Sequence, residues 1–170
     1  ADVLSKLSDW GDRGNCVRCG EGAGATVGRA DDRGILGMNM QSDGAKGGVL
    51  TCGSRSNGNF LLGKKPELGY MAMDGQEVFK FAVRIIPKSV GKVLDAAGAD
   101  KSEIKYYILH QANYRIIEAA AKRLKEPLEK FPMNIDHCAN TSSATIPILL
   151  DEIHRAGKLQ RGDKILSLIT

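Results

Sequence analysis

The second half of the chain alternates between two hydrophobic periods, and this alternation limits the fold more than any other feature. Ile104 to Leu109 is an apolar, β-rich run of the kind that forms a strand buried on both faces. Tyr114 to Lys125 then switches to helical spacing. Ile116, Ile117, Ala120, Ala121 and Leu124 share one face, and Arg115, Glu118, Lys122, Arg123 and Lys125 fall off it. Phe131 to Ile135 predicts a short strand. Ser142 to Ala156 predicts a helix with Ile146, Leu149, Leu150 and Ile153 inward and Gly157 as its stop. Arg161-Gly162-Asp163 predicts a turn, and Lys164 to Ile169 a further buried strand. Upstream, Asp74 to Ala97 predicts a long helix with Asp74 as N-cap and Glu77 placed for a capping box. Phe79, Val83, Ile86, Val90, Val93 and Ala97 recur at helical spacing, Gly98 ends the helix, and Pro87 predicts a kink or split. Strands alternating with helices mean an α/β fold, with helices packed against a mainly parallel or mixed sheet.

The region before Asp74 is richer in glycine. Cys16 to Val27 carries Gly20, Gly22 and Gly24 among small residues, which suits a strand packed closely on other backbone. Ile35 to Gln41 and Gly48 to Cys52 predict short strands joined through a Ser42-Asp43-Gly44 turn, and Gly53 to Gly69 predicts a loop. At 170 residues the chain is one domain or part of a larger one, and ending directly after an apolar strand it is expected to be truncated at both ends. No apolar run reaches the ~18 residues of a membrane span, and no leader pattern opens the chain, so no membrane partner is expected. A net charge of +4 with 5% aromatics lacks the basic stripe and stacking platforms of a nucleic-acid binder. Cys16, Cys19, Cys52 and Cys138 are too sparse for a stapled secreted scaffold, so reduced thiols and a cytoplasmic location are expected.

In open α/β sheets ligands bind beyond the carboxyl ends of strands. Two polar segments fall at such points: His110-Gln111-Ala112-Asn113, and Asn140-Thr141-Ser142-Ser143. A His and an Asn on neighbouring strand ends can aim two donors at one oxygen, the logic of an oxyanion hole. Asn140 also reads as part of a helix N-cap cluster, and Asn140-Thr141-Ser142 as a glycosylation sequon that matters only in a secreted protein.

These two segments, in this order, resemble β-ketoacyl-acyl-carrier-protein synthase III, a thiolase-fold condensing enzyme family of type II fatty-acid synthesis. Further stretches agree with the same family: Ala1-Asp2-Val3-Leu4-Ser5, Asp9-Trp10, Asp12-Arg13-Gly14, Gly20-Glu21-Gly22-Ala23-Gly24-Ala25, and Met73-Asp74-Gly75-Gln76-Glu77-Val78-Phe79-Lys80-Phe81-Ala82. The resemblance implies a thiolase-like α/β fold. Residues 1–30 would close its N-terminal half, and 31–170 would form the C-terminal half without its last strand and Gly-rich loop. It implies a decarboxylating Claisen condensation of acyl-CoA with malonyl-acyl carrier protein, with no cofactor. His110 and Asn140 would donate hydrogen bonds to the enolate oxygen, His110 as a neutral ring with one N–H directed inward. The nucleophilic Cys would lie upstream of Ala1, so the chain alone should not condense anything. The primer pocket lies largely in residues not present here, so a relative with another acyl primer fits equally.

The same resemblance places Arg13 near the adenine end of CoA and Gln76, Phe79, Ala112 and Asn113 along the pantetheine tunnel. Lys80, Arg115, Lys122 and Arg123 match the basic patch that docks the acidic carrier protein. Read without the family, the last three are an ordinary solvated face with a Glu118–Lys122 pair. A homodimer is implied for the family. Three positions depart from its pattern. Ala139 replaces the usual Gly before the Asn, and a Cβ there is costly if φ is positive. Arg18-Cys19 stands where an apolar pair is usual, and a buried Arg18 would need a partner. Glu21 replaces an Asp. These departures leave a second reading open, a degenerate thiolase-fold piece without activity. A third comes from Cys16-Val17-Arg18-Cys19, a C-x-x-C that would need ligands from His110, His137, His154 or Cys138 to hold zinc. That spacing is long and irregular, so no metal is expected, and Cys138 is read as a small buried hydrophobe.

Overall fold

A computed structural model describes residues 3–17, 19–28, 31, 34–53 and 55–170, so the readings of Ala1, Asp2 and Arg18 lie outside the described residues. The elements run α1 (Arg13–Cys16), β1 (Leu50–Cys52), β2 (Arg55–Ser56), β3 (Glu67–Leu68), β4 (Met71–Met73), α2 (Gly75–Ala97), β5 (Ile104–Leu109), α3 (Tyr114–Leu124), α4 (Ile135–Cys138), α5 (Thr145–Arg155) and β6 (Lys164–Leu168), with short 3-10 turns between them.

β5 and β6 pair in parallel, Tyr107 opposite Leu166 and Leu109 opposite Leu168. Parallel neighbours need a long crossover, and α3, α4 and α5 supply it. Side chains alternate along β5. Tyr107 and Leu109 join Ala82, Ile86 and Val90 of α2 and Ile117 and Ala120 of α3 in the main core. Ile108 packs the other way, on Leu149 and Ile153 of α5. A register shift between Ile104 and Tyr106 lets Ile104 join the main core as well. The strand pair is thus covered on both faces, as the apolar run at 104–109 predicts. Each fully buried aliphatic side chain stabilises this arrangement by about 1.5–3 kcal/mol.

α2 forms as its pattern predicts. The Asp74 carboxylate accepts from the N–H groups of Gln76 and Glu77, and Gly98 closes the helix at φ 58. The reciprocal half of the capping box is absent, because the Asp74 N–H donates to Val49 O and Glu77 pairs with Lys80 instead. Pro87 does not split the helix, which runs unbroken from 75 to 97.

Several expectations for the remainder are corrected. Phe131 to Ile135 is not a strand. Pro132 offers no N–H to a ladder. Phe131 instead stacks on Tyr107 with ring centroids 4.8 Å apart, and Ile135 begins the one-turn α4. Ile35 to Gln41 forms no strand either, and the partner of β1 is β4, antiparallel. Asp43 leads into a 3-10 turn, Gly44–Val49, rather than a hairpin turn. The Gly53 to Gly69 segment holds a small antiparallel pair, β2 with β3, and a 3-10 turn at Phe60–Leu62. The described residues of Cys16 to Val27 form no regular strand, only isolated bridge positions at Cys19, paired in parallel with Asn140, and at Gly22. Its close backbone approach is nevertheless real. A Cβ on Gly20 would meet Cys138 O at 2.6 Å, and one on Gly24 would meet Pro147 Cγ at 2.4 Å.

Candidate active site

The carboxyl end of β5 delivers His110. Its N–H donates to Leu168 O at 2.8 Å, so the strand pairing extends one residue past β5 and fixes the backbone that carries the ring. Gln111 follows, fully buried. Its amide donates to Leu109 O at 2.9 Å and its Oε1 accepts from the Asn134 N–H at 3.2 Å. This side chain ties the strand end to the segment entering α4. Asn113 caps α3, its Oδ1 accepting from the Arg115 N–H at 2.8 Å.

Asn140 reaches the site differently. It sits between α4 and a 3-10 turn at Ser142–Ala144, not on a strand end. Its carbonyl accepts from the Gly20 N–H at 2.8 Å, which explains why the Gly-rich segment must lie so close. Its side-chain Oδ1 accepts from the Ser142 N–H at 2.9 Å. With the oxygen so engaged, the Asn140 NH₂ is the group left to donate elsewhere.

Ser142 joins both arms. Its N–H holds Asn140, and its carbonyl lies 3.1 Å from His110 Nδ1. One peptide neighbourhood therefore orients both side chains. Thr145 Oγ1 also lies 3.1 Å from Nδ1 and donates to the same Ser142 carbonyl. Two proton settings follow. If Nδ1 donates to Ser142 O, a neutral ring has no proton on Nε2. If the Thr145 hydroxyl turns to donate to Nδ1, Nε2 carries the proton and becomes the donor. The inward N–H expected from the sequence thus depends on Thr145, a buried residue that no sequence pattern singled out.

Ala139 has φ 56 and ψ −163, a region that only glycine enters without strain. Ser142 stands at φ 52. Two of the three non-glycine residues at positive φ among the described residues therefore bracket Asn140. Cys138 is held as a thiol: burial, then the Glu152 carboxylate 3.5 Å from its Sγ, pushes its pKa up. It is a poor nucleophile for that reason. None of the four cysteines forms a disulfide.

The other sequence candidates are spread around this centre. Phe79 and Ala112 are half-buried against the main core. Gln76, Asn113 and Arg13 are exposed. Arg115, Lys122 and Arg123 are exposed on α3, with Lys122 3.3 Å from Glu118, and Lys80 is exposed on α2, 2.8 Å from Glu77. A cavity of 1110 Å³ is lined by Ile35, Gly37, Leu94, Ile104 and Leu166 among others, and by neither His110 nor Asn140. No described helix is long and apolar enough to cross a membrane.

Comparison with known proteins identifies the family and the fold. A family model described as 3-oxoacyl-[acyl-carrier-protein] synthase III C terminal matches residues 94–169, and one described as 3-oxoacyl-[acyl-carrier-protein] synthase III matches residues 1–44. The β-ketoacyl-[acyl-carrier-protein] synthase III of Synechococcus elongatus is 44% identical over 170 residues, covering 97% of this chain and 51% of that protein. The Clostridium kluyveri protein of the same name is 42% identical over 167 residues, 98% of this chain and 52% of that one. The solved synthase III structure from Thermus thermophilus superposes with a TM-score of 0.81 at 32% identity, covering 96% of this chain and 51% of that one. The Aquifex aeolicus structure does so with 0.77 at 37% identity, covering 96% and 50%. The chain thus spans about half the length of the relatives it matches. Both family models fall on one family, and the fold matches its solved members, so the chain belongs to the 3-oxoacyl-[acyl-carrier-protein] synthase III family and has its thiolase-like fold.

Proposed function

We propose that this chain supplies the enolate-stabilising side of a decarboxylating condensation between an acyl-CoA-derived thioester and malonyl-acyl carrier protein. On this reading residues 1–30 close the N-terminal half of the fold, residues 31–170 make the C-terminal half, and the nucleophilic Cys belongs to the other half. The bond between the malonyl C2 and its carboxylate breaks, carbon dioxide leaves, and the electron pair passes into the thioester as an enolate. His110 Nε2–H and the Asn140 NH₂ donate to that oxygen. The enolate carbon then attacks the acyl thioester, and the nucleophile's sulfur leaves. The electron pair comes from the lost carboxylate, so no cofactor is assigned. Donors fixed before the charge develops lower such a barrier most.

The observation that carries the reading is the shared Ser142–Thr145 neighbourhood: the Ser142 N–H turns the Asn140 oxygen away, and the Thr145 hydroxyl beside His110 Nδ1 can donate to it and leave the ring proton on Nε2. Arg13, Gln76, Phe79, Ala112 and Asn113 are assigned to the CoA and pantetheine path. Lys80, Arg115, Lys122 and Arg123 are assigned to an acidic carrier. Their exposure suits long-range attraction that salt weakens. We place the protein in the cytoplasm, which its free thiols suit, and assign it a homodimeric assembly. The strained Ala139 favours a second reading, a family member whose Asn140 no longer reaches its working position.

The test joins this chain to the nucleophile-bearing half of the Synechococcus elongatus relative. His110→Ala should cut malonyl decarboxylation by about 10²–10³-fold and leave acylation of the Cys intact. Loss of acylation with decarboxylation unchanged would overturn the role of His110. A parent chimera that acylates but never decarboxylates, with or without Ala139→Gly, would favour the second reading.

A further inference from the structure

His137, Cys138 and Glu152 place an imidazole nitrogen, a sulfur and a carboxylate oxygen within 4.8 Å of one another, on the side of α4 that meets α5. None of the three has a part in the chemistry proposed above. His137 Nε2 lies 3.3 Å from Glu152 Oε1, and Cys138 Sγ lies 3.5 Å from the same oxygen. Those two separations match two edges of a tetrahedron around zinc, and the third, His137 to Cys138, lies within 4.8 Å. Bond lengths of about 2.0–2.1 Å to N and O and about 2.3 Å to S give an N–O edge near ~3.3 Å and an S–O edge near ~3.5 Å.

The supporting arrangement is also present. Asp136 Oδ1 accepts from His137 Nδ1–H at 2.9 Å. With Nδ1–H so held, a neutral ring would turn its Nε2 lone pair to Glu152, as in metal-bound histidines backed by a carboxylate. Without a cation, that lone pair would face an anionic oxygen. Either a proton on Nε2 or a metal ion must lie between them. The His137 side chain is 58% exposed and that of Glu152 37%, so an ion can reach the cluster from solvent.

We propose that His137, Cys138 and Glu152 form a binding site for a borderline-soft divalent cation of the zinc class, with a water in its fourth position. The Cys138 thiol and the His137 Nε2, which holds a proton against Glu152 when no metal is bound, both release their protons to solvent on binding. The ion would clasp α4 to α5 next to Ala139 and Asn140. The Cys16–Cys19 pair, which the sequence offers for a metal, is not part of the cluster. The inference stands apart from the proposed condensation and its failure leaves that reading untouched.

The experiment titrates the chain with Co²⁺, whose bond to a thiolate gives a near-ultraviolet charge-transfer band, and then displaces it with Zn²⁺. The expected result is a band that saturates at one equivalent and is lost in Cys138→Ser. It should persist in a Cys16→Ser/Cys19→Ser double variant. Asp136→Asn should weaken Co²⁺ affinity by about 10–100-fold while the band keeps its shape. Far-ultraviolet circular dichroism reports whether Cys138→Ser is folded. If it is not, Glu152→Gln takes its place and should weaken binding in the same way. No band in the parent chain, a band that survives in folded Cys138→Ser, or one lost in the Cys16→Ser/Cys19→Ser variant would overturn the site.

Discussion

The two residues proposed as donors, His110 and Asn140, rest on unlike foundations. His110 continues a strand that is buried on both faces and paired to its end, and the Gln111 side chain ties that strand end to Asn134. Asn140 hangs between a one-turn helix and a 3-10 turn, with Ala139 in glycine's territory and Ser142 at positive φ. Near it, the side chains of Asn134 and Thr141 are buried without a hydrogen bond to any described residue. Core packing positions His110, whereas local backbone strain and one approach from the Gly20 segment position Asn140. Strain held at a reacting group is tolerable only where the surroundings over-determine it. Here the over-determining contacts are the Gly20 N–H to Asn140 O and the Ser142 N–H to Asn140 Oδ1.

The largest test of this contrast lies under the His110 arm. Ile108 is fully buried between β5 and α5. Ile108→Ala should destabilise the chain by about 2–5 kcal/mol, read as a lower urea midpoint. A loss below ~1 kcal/mol would mean that β5 is not the rigid element described. The next concerns the other arm. Ala139→Gly releases about 1–3 kcal/mol of backbone strain and returns about 0.4–1 kcal/mol as unfolded-state entropy. The net should be a gain near ~1 kcal/mol, a rise in Tm of about 2–4 °C. A fall in Tm would show that Ala139 does not hold the conformation described.

The smallest effect concerns the end of β5 farthest from His110. The Lys105 ammonium, 2.6 Å from Asp163, and the Gln160 N–H hold the Asp163 carboxyl below its ordinary pKa. A lowered folded pKa stabilises the fold above the unfolded value of 3.8, and the contribution disappears as pH falls through the folded value. Asp163→Asn should therefore lower the urea midpoint slightly at neutral pH. The gap to the parent should close as the medium is taken below the carboxylate range. A gap that is the same at acid and neutral pH would refute the clip.

The same contrast governs what the sequence made legible. β5, α2, α3, α5 and β6 follow from local period, so they are readable to within a few residues, α5 beginning at Thr145 after a 3-10 turn where the pattern starts a helix at Ser142. The Asn140 arm was not. Phe131 to Ile135 has strand composition, but Pro132 and the stacking of Phe131 on Tyr107 decide otherwise. Ile35 to Gln41 has apolar residues but no strand beside it among the described residues, and Ile35 and Met40 remain 87% and 83% exposed. The glycines at 20, 22 and 24 announced a close approach without naming its partner, since Cys138, Thr141 and Pro147 are distant in sequence. His110 and Asn140 stood out through the family resemblance, as did the cost of Ala139. Thr145 did not, and Ser142 did only as part of the Asn140 segment, because their roles arise from where the chain returns to His110 and not from any spacing.

The central claim is that both arms serve one oxygen, and a double-mutant cycle on malonyl decarboxylation tests it most directly. His110→Ala, Asn140→Ala and the double variant would be compared in the chimera carrying this chain. Groups acting on one enolate oxygen lose their effect together, so the double variant should be little slower than the slower single variant. Losses that multiply independently would contradict the account and separate the two residues into different steps.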